Sequence, residues 1–129
     1  MTSLPERYEA YLDCLNAQEW GRLGEYVADG VHHNGRKLGL SGYREMLIGN
    51  YEEIPDLSFK AGLLMCEAPW VAARLDFDCT PKGDFLGVPA NGRRVSFAEN
   101  VFYEFRGGKI VTVWSVVDKA GIEEQLKAG

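Results

Sequence analysis

Two long strand-like segments, Arg94 to Phe105 and Lys109 to Val117, are joined by Arg106-Gly107-Gly108, and this hairpin constrains the chain more than any other feature. A glycine pair between two β-type runs supplies the positive backbone angles of a tight antiparallel turn. A third segment precedes them. From Trp70 to Cys79, Ala73, Leu75, Phe77 and Cys79 alternate with Arg74, Asp76 and Asp78, so one face is apolar and the other charged. Leu57 to Cys66 is mixed but still alternates through Leu57, Phe59, Ala61 and Leu63. Thr80 to Gly92, rich in glycine and proline, reads as a long connection or hairpin arm.

The first half of the chain is helical in character. Ser3 and Glu6 form a capping box, Pro5 sits near the first turn, and Leu4, Tyr8, Tyr11, Leu12 and Leu15 make one apolar stripe. A second short helix is expected from Glu19 to Val27, ended by Asp29-Gly30. A third is expected from a Ser41 cap to about Tyr51, with Pro55 just beyond it. A last amphipathic helix, Lys119 to Leu126, follows the final strand. Helices first and antiparallel strands afterwards give an α+β layout, one domain over residues 1–129, with helices on one face of a curved sheet. Such a sheet, closed over by helices, leaves an apolar cavity for a small organic molecule.

Charge and cysteine usage exclude several classes. A net charge of −5 argues against nucleic acid and acidic membranes as partners, and a basic doublet such as Arg93-Arg94 is too short to make a basic patch. No apolar run is long enough to span a bilayer and no charged-then-apolar leader opens the sequence, so a cytoplasmic protein is expected. Cys14, Cys66 and Cys79 are widely spaced and read as reduced, buried thiols. The two histidines are neighbours, His32-His33, and cannot share a helix face, so no metal is expected.

The last strand runs straight into Asp118. A carboxylate removed from water is costly unless paired, and one held in a dry pocket becomes a stronger base. Asp118 is therefore either a general base or, as Asp often is, the N-cap of the helix that follows. In a regular strand Thr112, Trp114 and Val116 share its face, which would give a site an aromatic wall and an indole donor in Trp114. Asn34-Gly35 is the strongest short signal for a type I′ turn.

Several pieces, in order over nearly the full length, carry a family resemblance. They are His33-Asn34-Gly35-Arg36, Gly39 to Met46, Ile54-Pro-Asp-Leu57, Val71 to Leu75, Phe85 to Pro89, Gly92 to Phe97, Phe102-Tyr103, and Ile110 to Asp118 with Gln125-Leu126. The chain resembles the SnoaL-like polyketide (ester) cyclases of the NTF2-like superfamily. That resemblance implies an α+β cone, a curved, mostly antiparallel sheet wrapped around N-terminal helices and enclosing an apolar cavity. It also implies ring closure of a polyketide ester by intramolecular aldol condensation, without cofactor or metal.

The resemblance makes Asp118 the acid/base and Asn34 a substrate contact, with His33 a second donor or proton shuttle. Asn100 stands where the family commonly carries histidine; it can donate a hydrogen bond but cannot carry a proton. Glu99 is expected on the other face as a paired structural or interface charge. Arg74, Asp76 and Asp78 resemble the Asp-Arg-Asp set of epoxide hydrolases on the same fold, but neighbours at i, i+2 lie in a row rather than converging. They are expected to form a solvated or cross-strand salt-bridged face. The expected partner is a small hydrophobic carbonyl or polyketide-like ligand. A homodimer or homotetramer is expected to cover the outer sheet face. Two rivals remain: a steroid-isomerase-like proton shuttle, and a non-catalytic binding protein on the same cone.

Overall fold

A computed structural model describes residues 3–128. Helix α1 (Leu4–Asn16) starts at Ser3, whose hydroxyl accepts from the Glu6 amide, with Pro5 in the first turn. A short 3₁₀ turn (Trp20–Glu25) leads into strand β1 (Val27–His33) and, through Asn34-Gly35, into β2 (Arg36–Lys37). Both turn residues have positive φ, 49° and 84°, as a type I′ turn requires. Helix α2 (Gly39–Glu53) follows, then β3 (Ala61–Glu67), β4 (Trp70–Cys79), the small hairpin β5 (Asp84–Phe85) and β6 (Val88–Pro89), β7 (Val95–Arg106), β8 (Lys109–Val117) and α3 (Lys119–Ala128).

The expected helix Glu19–Val27 is corrected: only its first part is helical, and the chain from Val27 to His33 is a strand. The stretch has too few apolar residues at helical spacing to bury a helix face. Val27 and Val31 instead enter the core at strand parity. The third helix begins two residues before Ser41, which does not cap it.

Six strands form one sheet in the order β2-β1-β8-β7-β4-β3, antiparallel except where β1 runs parallel to β8. Register shifts in the β1–β8, β3–β4 and β7–β8 pairs bend it. At the β3 bulge a Cβ on Gly62 would meet the Asp76 carboxylate, so any larger residue there requires that side chain to move aside. The concave face packs on α1 and α2: Tyr8, Tyr11, Leu12 and Leu15 from one helix and Tyr43 and Leu47 from the other meet Val71, Leu75, Val101, Tyr103 and Val113. Asn16 pairs both ways with the Phe59 backbone, at 2.7 and 2.9 Å, and ties the end of α1 to the segment leading into β3.

The opposite sheet face is exposed and partly apolar. Phe102 lies across from Trp114 and Ala72, and Ala72 across from Met65; Val116 and Leu63 flank this row. Among the described residues no helix is long and apolar enough to cross a membrane.

Candidate active site

Between the concave sheet face and α2 lies a cavity of about 460 Å3. Most of its wall is apolar, with His33, Asn34, Asn50, Glu99, Ser115 and Lys119 as the polar members. Phe59 meets Phe77 edge-on at 5.4 Å, Phe77 stacks on Phe97 at 5.1 Å, and Phe85 from the β5–β6 hairpin lies 5.3 Å from Phe97. Met46, Ile54, Leu57 and Val117 complete the apolar lining, and Leu86, at the hairpin tip, reaches the mouth.

Among the residues lining this cavity Glu99 is the one carboxylate. It lies on β7 at the parity of Val101, Tyr103 and Phe105, all buried, and so it points inward with them. Burial pushes its carboxyl above the ordinary range, and a hydrogen bond from Ser115 offsets part of that rise. Ser115 stands on β8, two strand positions before Val117, and its hydroxyl lies 3.2 Å from His33 Nε2. With Nε2 protonated, His33 donates to Ser115, which leaves the Ser115 hydroxyl proton free to turn toward Glu99. Burial lowers the His33 basicity, aided by Arg36, so the ring is neutral at neutral pH. Its ring lies 6.4 Å from that of Tyr43, edge-on.

The site is thus one half-buried carboxylate in a largely apolar cavity, on a cone built from helices and a curved sheet. A sequence profile of the SnoaL-like polyketide cyclases matches residues 6–126. The chain belongs to the SnoaL-like polyketide cyclase family. A SnoaL-like polyketide cyclase from Agrobacterium tumefaciens is 56% identical, with a TM-score of 0.96 over 98% of this chain and 99% of that one. TsrD from Streptomyces laurentii, 25% identical, superposes with a TM-score of 0.83 over 98% and 96% of the two chains. IdmH from Streptomyces antibioticus, 19% identical, shares the fold with a TM-score of 0.82 over 95% and 97%. No curated protein matches the sequence.

Within this SnoaL-like cone the residues expected from sequence fall in two groups. His33 and Asn34 line the cavity. Asn34 uses its amide on the sheet: Oδ1 accepts from the Ser115 N–H at 2.8 Å and Nδ2 donates to the Ser115 carbonyl at 3.2 Å. It thereby holds His33 and Ser115 side by side, and one Nδ2 proton remains. Trp114, Asn100 and Asp118 lie outside the cavity. Trp114 is 46% exposed on the outer sheet face. Asn100 is exposed there too, accepting from Arg74 at 3.1 Å. Asp118 borders an open surface hollow with Lys60, Arg74, Asp76, Asp78 and Ser96. Its carboxylate accepts the Gly121 N–H at 3.0 Å, the N-cap of α3.

The face assignment of the last strand is therefore reversed, and the cause is local. Phe105 pairs with Ile110 while Glu104 pairs with Thr112, so β8 carries one extra residue, Val111, at a bulge. Ile110 is buried before the bulge and Val113 after it, so the inward parity changes from even to odd. Ser115 and Val117 then face the cavity, and Trp114, Val116 and Asp118 do not. Glu99 likewise faces in rather than out. Its signal was the period-2 run Val95, Phe97, Val101, Tyr103, Phe105, which shares its parity; Ala98 and Phe102 on the other parity masked it. The charged face of β4 behaves as expected: Arg94 and Asp78 form a two-pronged ion pair at 2.7 and 2.9 Å.

Proposed function

We propose that this SnoaL-like protein is a cofactor-independent enzyme that removes a proton from carbon beside a carbonyl in a small apolar molecule, with Glu99 as the acid/base. The observation that carries this reading is a single half-buried carboxylate beside Ser115, which also meets His33, in a cavity lined mostly by aromatic and aliphatic groups, with Asn34, Asn50 and Lys119 as its other polar members. A carboxylate stripped of water is a stronger base, which is what carbon-acid chemistry near neutral pH demands.

In this mechanism Glu99 takes the α-proton, and the C–H electron pair moves into the carbonyl to form an enolate. The enolate carbon attacks a second carbonyl of the same molecule, making the ring bond. The new alkoxide takes the proton back from Glu99, leaving an isomer of the substrate and a restored carboxylate. Aldol closure of a polyketide-type ester is the form of this reaction that family membership supports.

Exchange of α-protons tests the first step without the natural substrate. With 2-tetralone in D₂O, followed by proton NMR, the wild-type protein is expected to accelerate deuterium uptake. Glu99→Gln is expected to lose about 10²- to 10⁴-fold, the usual contribution of a positioned base. Equal rates in wild type and Glu99→Gln overturn the assignment.

A further inference from the structure

Beyond Glu99 the cavity continues into a hollow of about 50 Å3 that shares His33, Met46, Asn50, Phe59, Glu99 and Ser115 with it. Its far wall is made by Tyr11, Tyr43 and Tyr103. A space of this size accepts a small polar group such as a carbonyl, but not the body of a larger ligand.

The tyrosines there have protons to spare. The Tyr11 and Tyr43 hydroxyls are 2.7 Å apart, and Tyr8 donates to Tyr103 at 3.2 Å. A pair of hydroxyls carries two protons, and one mutual hydrogen bond uses one of them. Each pair thus keeps one proton with no protein acceptor among the described residues. One of these belongs to the Tyr11–Tyr43 pair and the other to Tyr103, and all three residues border the hollow. Burial holds the phenols far above their ordinary acidity range, so they stay protonated donors. Donors kept from water without an acceptor are costly, and the group that relieves them must accept without needing to donate. Charged donors are absent from this wall, so the site suits a carbonyl oxygen better than a carboxylate or phosphate.

We infer that the hollow is a carbonyl-oxygen subsite, in which one ligand C=O receives hydrogen bonds from the Tyr11–Tyr43 pair and from Tyr103 while the apolar body fills the phenylalanine-lined cavity. This deepens the proposed function and rests on it for its catalytic meaning: the oxygen held there is the one that gains charge when Glu99 removes the neighbouring proton. Donors preset at that point stabilise the enolate without having to reorient. The ligand class is accordingly a compact ketone or ester that enters carbonyl first.

Infrared difference spectroscopy of bound 2-tetralone tests the contact directly, with its hydrocarbon analogue tetralin as the control ligand in calorimetry. In the wild type the ketone stretch is expected below its frequency in an alkane. It should move back toward the alkane value in Tyr43→Phe and in Tyr103→Phe. Each variant should also bind 2-tetralone about tenfold more weakly, the worth of one hydrogen bond, with tetralin affinity unchanged.

A wild-type stretch at the alkane frequency, no binding of 2-tetralone, or equal losses for ketone and hydrocarbon overturns the subsite. The wild-type spectrum decides alone if a phenylalanine variant fails to fold. Glu99→Gln separates the two readings, since it should abolish exchange yet keep the lowered stretch. A lowered stretch without wild-type exchange removes the function and leaves the subsite standing.

Discussion

Replacing Asp118 distinguishes a cap from a base, because asparagine performs one role and not the other. The Asp118 carboxylate makes one hydrogen bond to the helix, to the Gly121 N–H at 3.0 Å, in an exposed setting outside the cavity. Loss of one such cap costs about 1 kcal/mol. Asparagine caps as well as aspartate and forfeits only the charge at the positive helix end, about 0.3 kcal/mol at an exposed position. Asp118→Ala should therefore destabilise by about 1 kcal/mol. For a chain of this length that is about 4 °C in Tm, or about 0.5 M in the urea midpoint with an unchanged slope.

Asp118→Asn should lie within a few tenths of a kcal/mol of wild type. Both variants should exchange 2-tetralone protons at wild-type rates within about twofold, since a group outside the cavity supplies none of the proton-transfer term. The paired assays are urea unfolding and deuterium uptake. A hundredfold loss of exchange in a fully stable Asp118→Asn protein would refute the reasoning and return the base to the end of β8. An Asp118→Ala protein as stable as wild type would refute the cap.

Other outcomes follow from the same geometry. The raised Glu99 carboxyl ionises later in the folded chain than in the unfolded one, so its contribution to stability is fully present below the unfolded carboxylate range and is lost as pH rises through the folded value. Glu99→Gln should thus flatten that part of the stability–pH profile and be the more stable protein near neutrality; calorimetry in which the wild type stays ahead of the variant as pH rises would contradict this. His33 acts in the opposite sense: its lowered basicity makes folding lose stability as pH falls below the ordinary imidazole value. His33→Asn should remove that acid-side loss in the same titration. Leu86 holds φ at 52° and is 43% exposed at the cavity mouth. Leu86→Gly should relieve about 1 kcal/mol of backbone strain yet weaken tetralin binding, a trade that calorimetry and urea unfolding check together; unchanged binding would remove Leu86 from the mouth. The outer row of Met65, Phe102 and Trp114 with Val116, which is 70% exposed, supports a homodimer or homotetramer in solution. Native mass measurement should give a multiple of the chain mass that Trp114→Lys reduces, and a monomeric wild type would refute it.

Sequence reasoning reached the cone, the long strands of the second half, the capping box at Ser3 and the Asn34-Gly35 turn, but not the β1–β2 strands between the first two α-helices, because the former rest on local periodicity and on backbone angles that few residues adopt. It also singled out His33 and Asn34, which line the cavity. It did not reach Glu99, Ser115 or the tyrosine wall. Along Ile110 to Val117 apolar residues occupy both parities, so no alternation states which face is inside. The bulge at Val111, set by pairing with β7, chose the odd residues. With that choice Ser115 turned in, beside a Glu99 carried by the neighbouring strand, and Asp118 turned out to cap a helix. The chain itself determined that a curved sheet would enclose an apolar cavity and that carboxylates would stand near its end. Which carboxylate lost its water was decided only by tertiary structure, because strand register, and not local sequence, determines whether a side chain points into the cone or away from it.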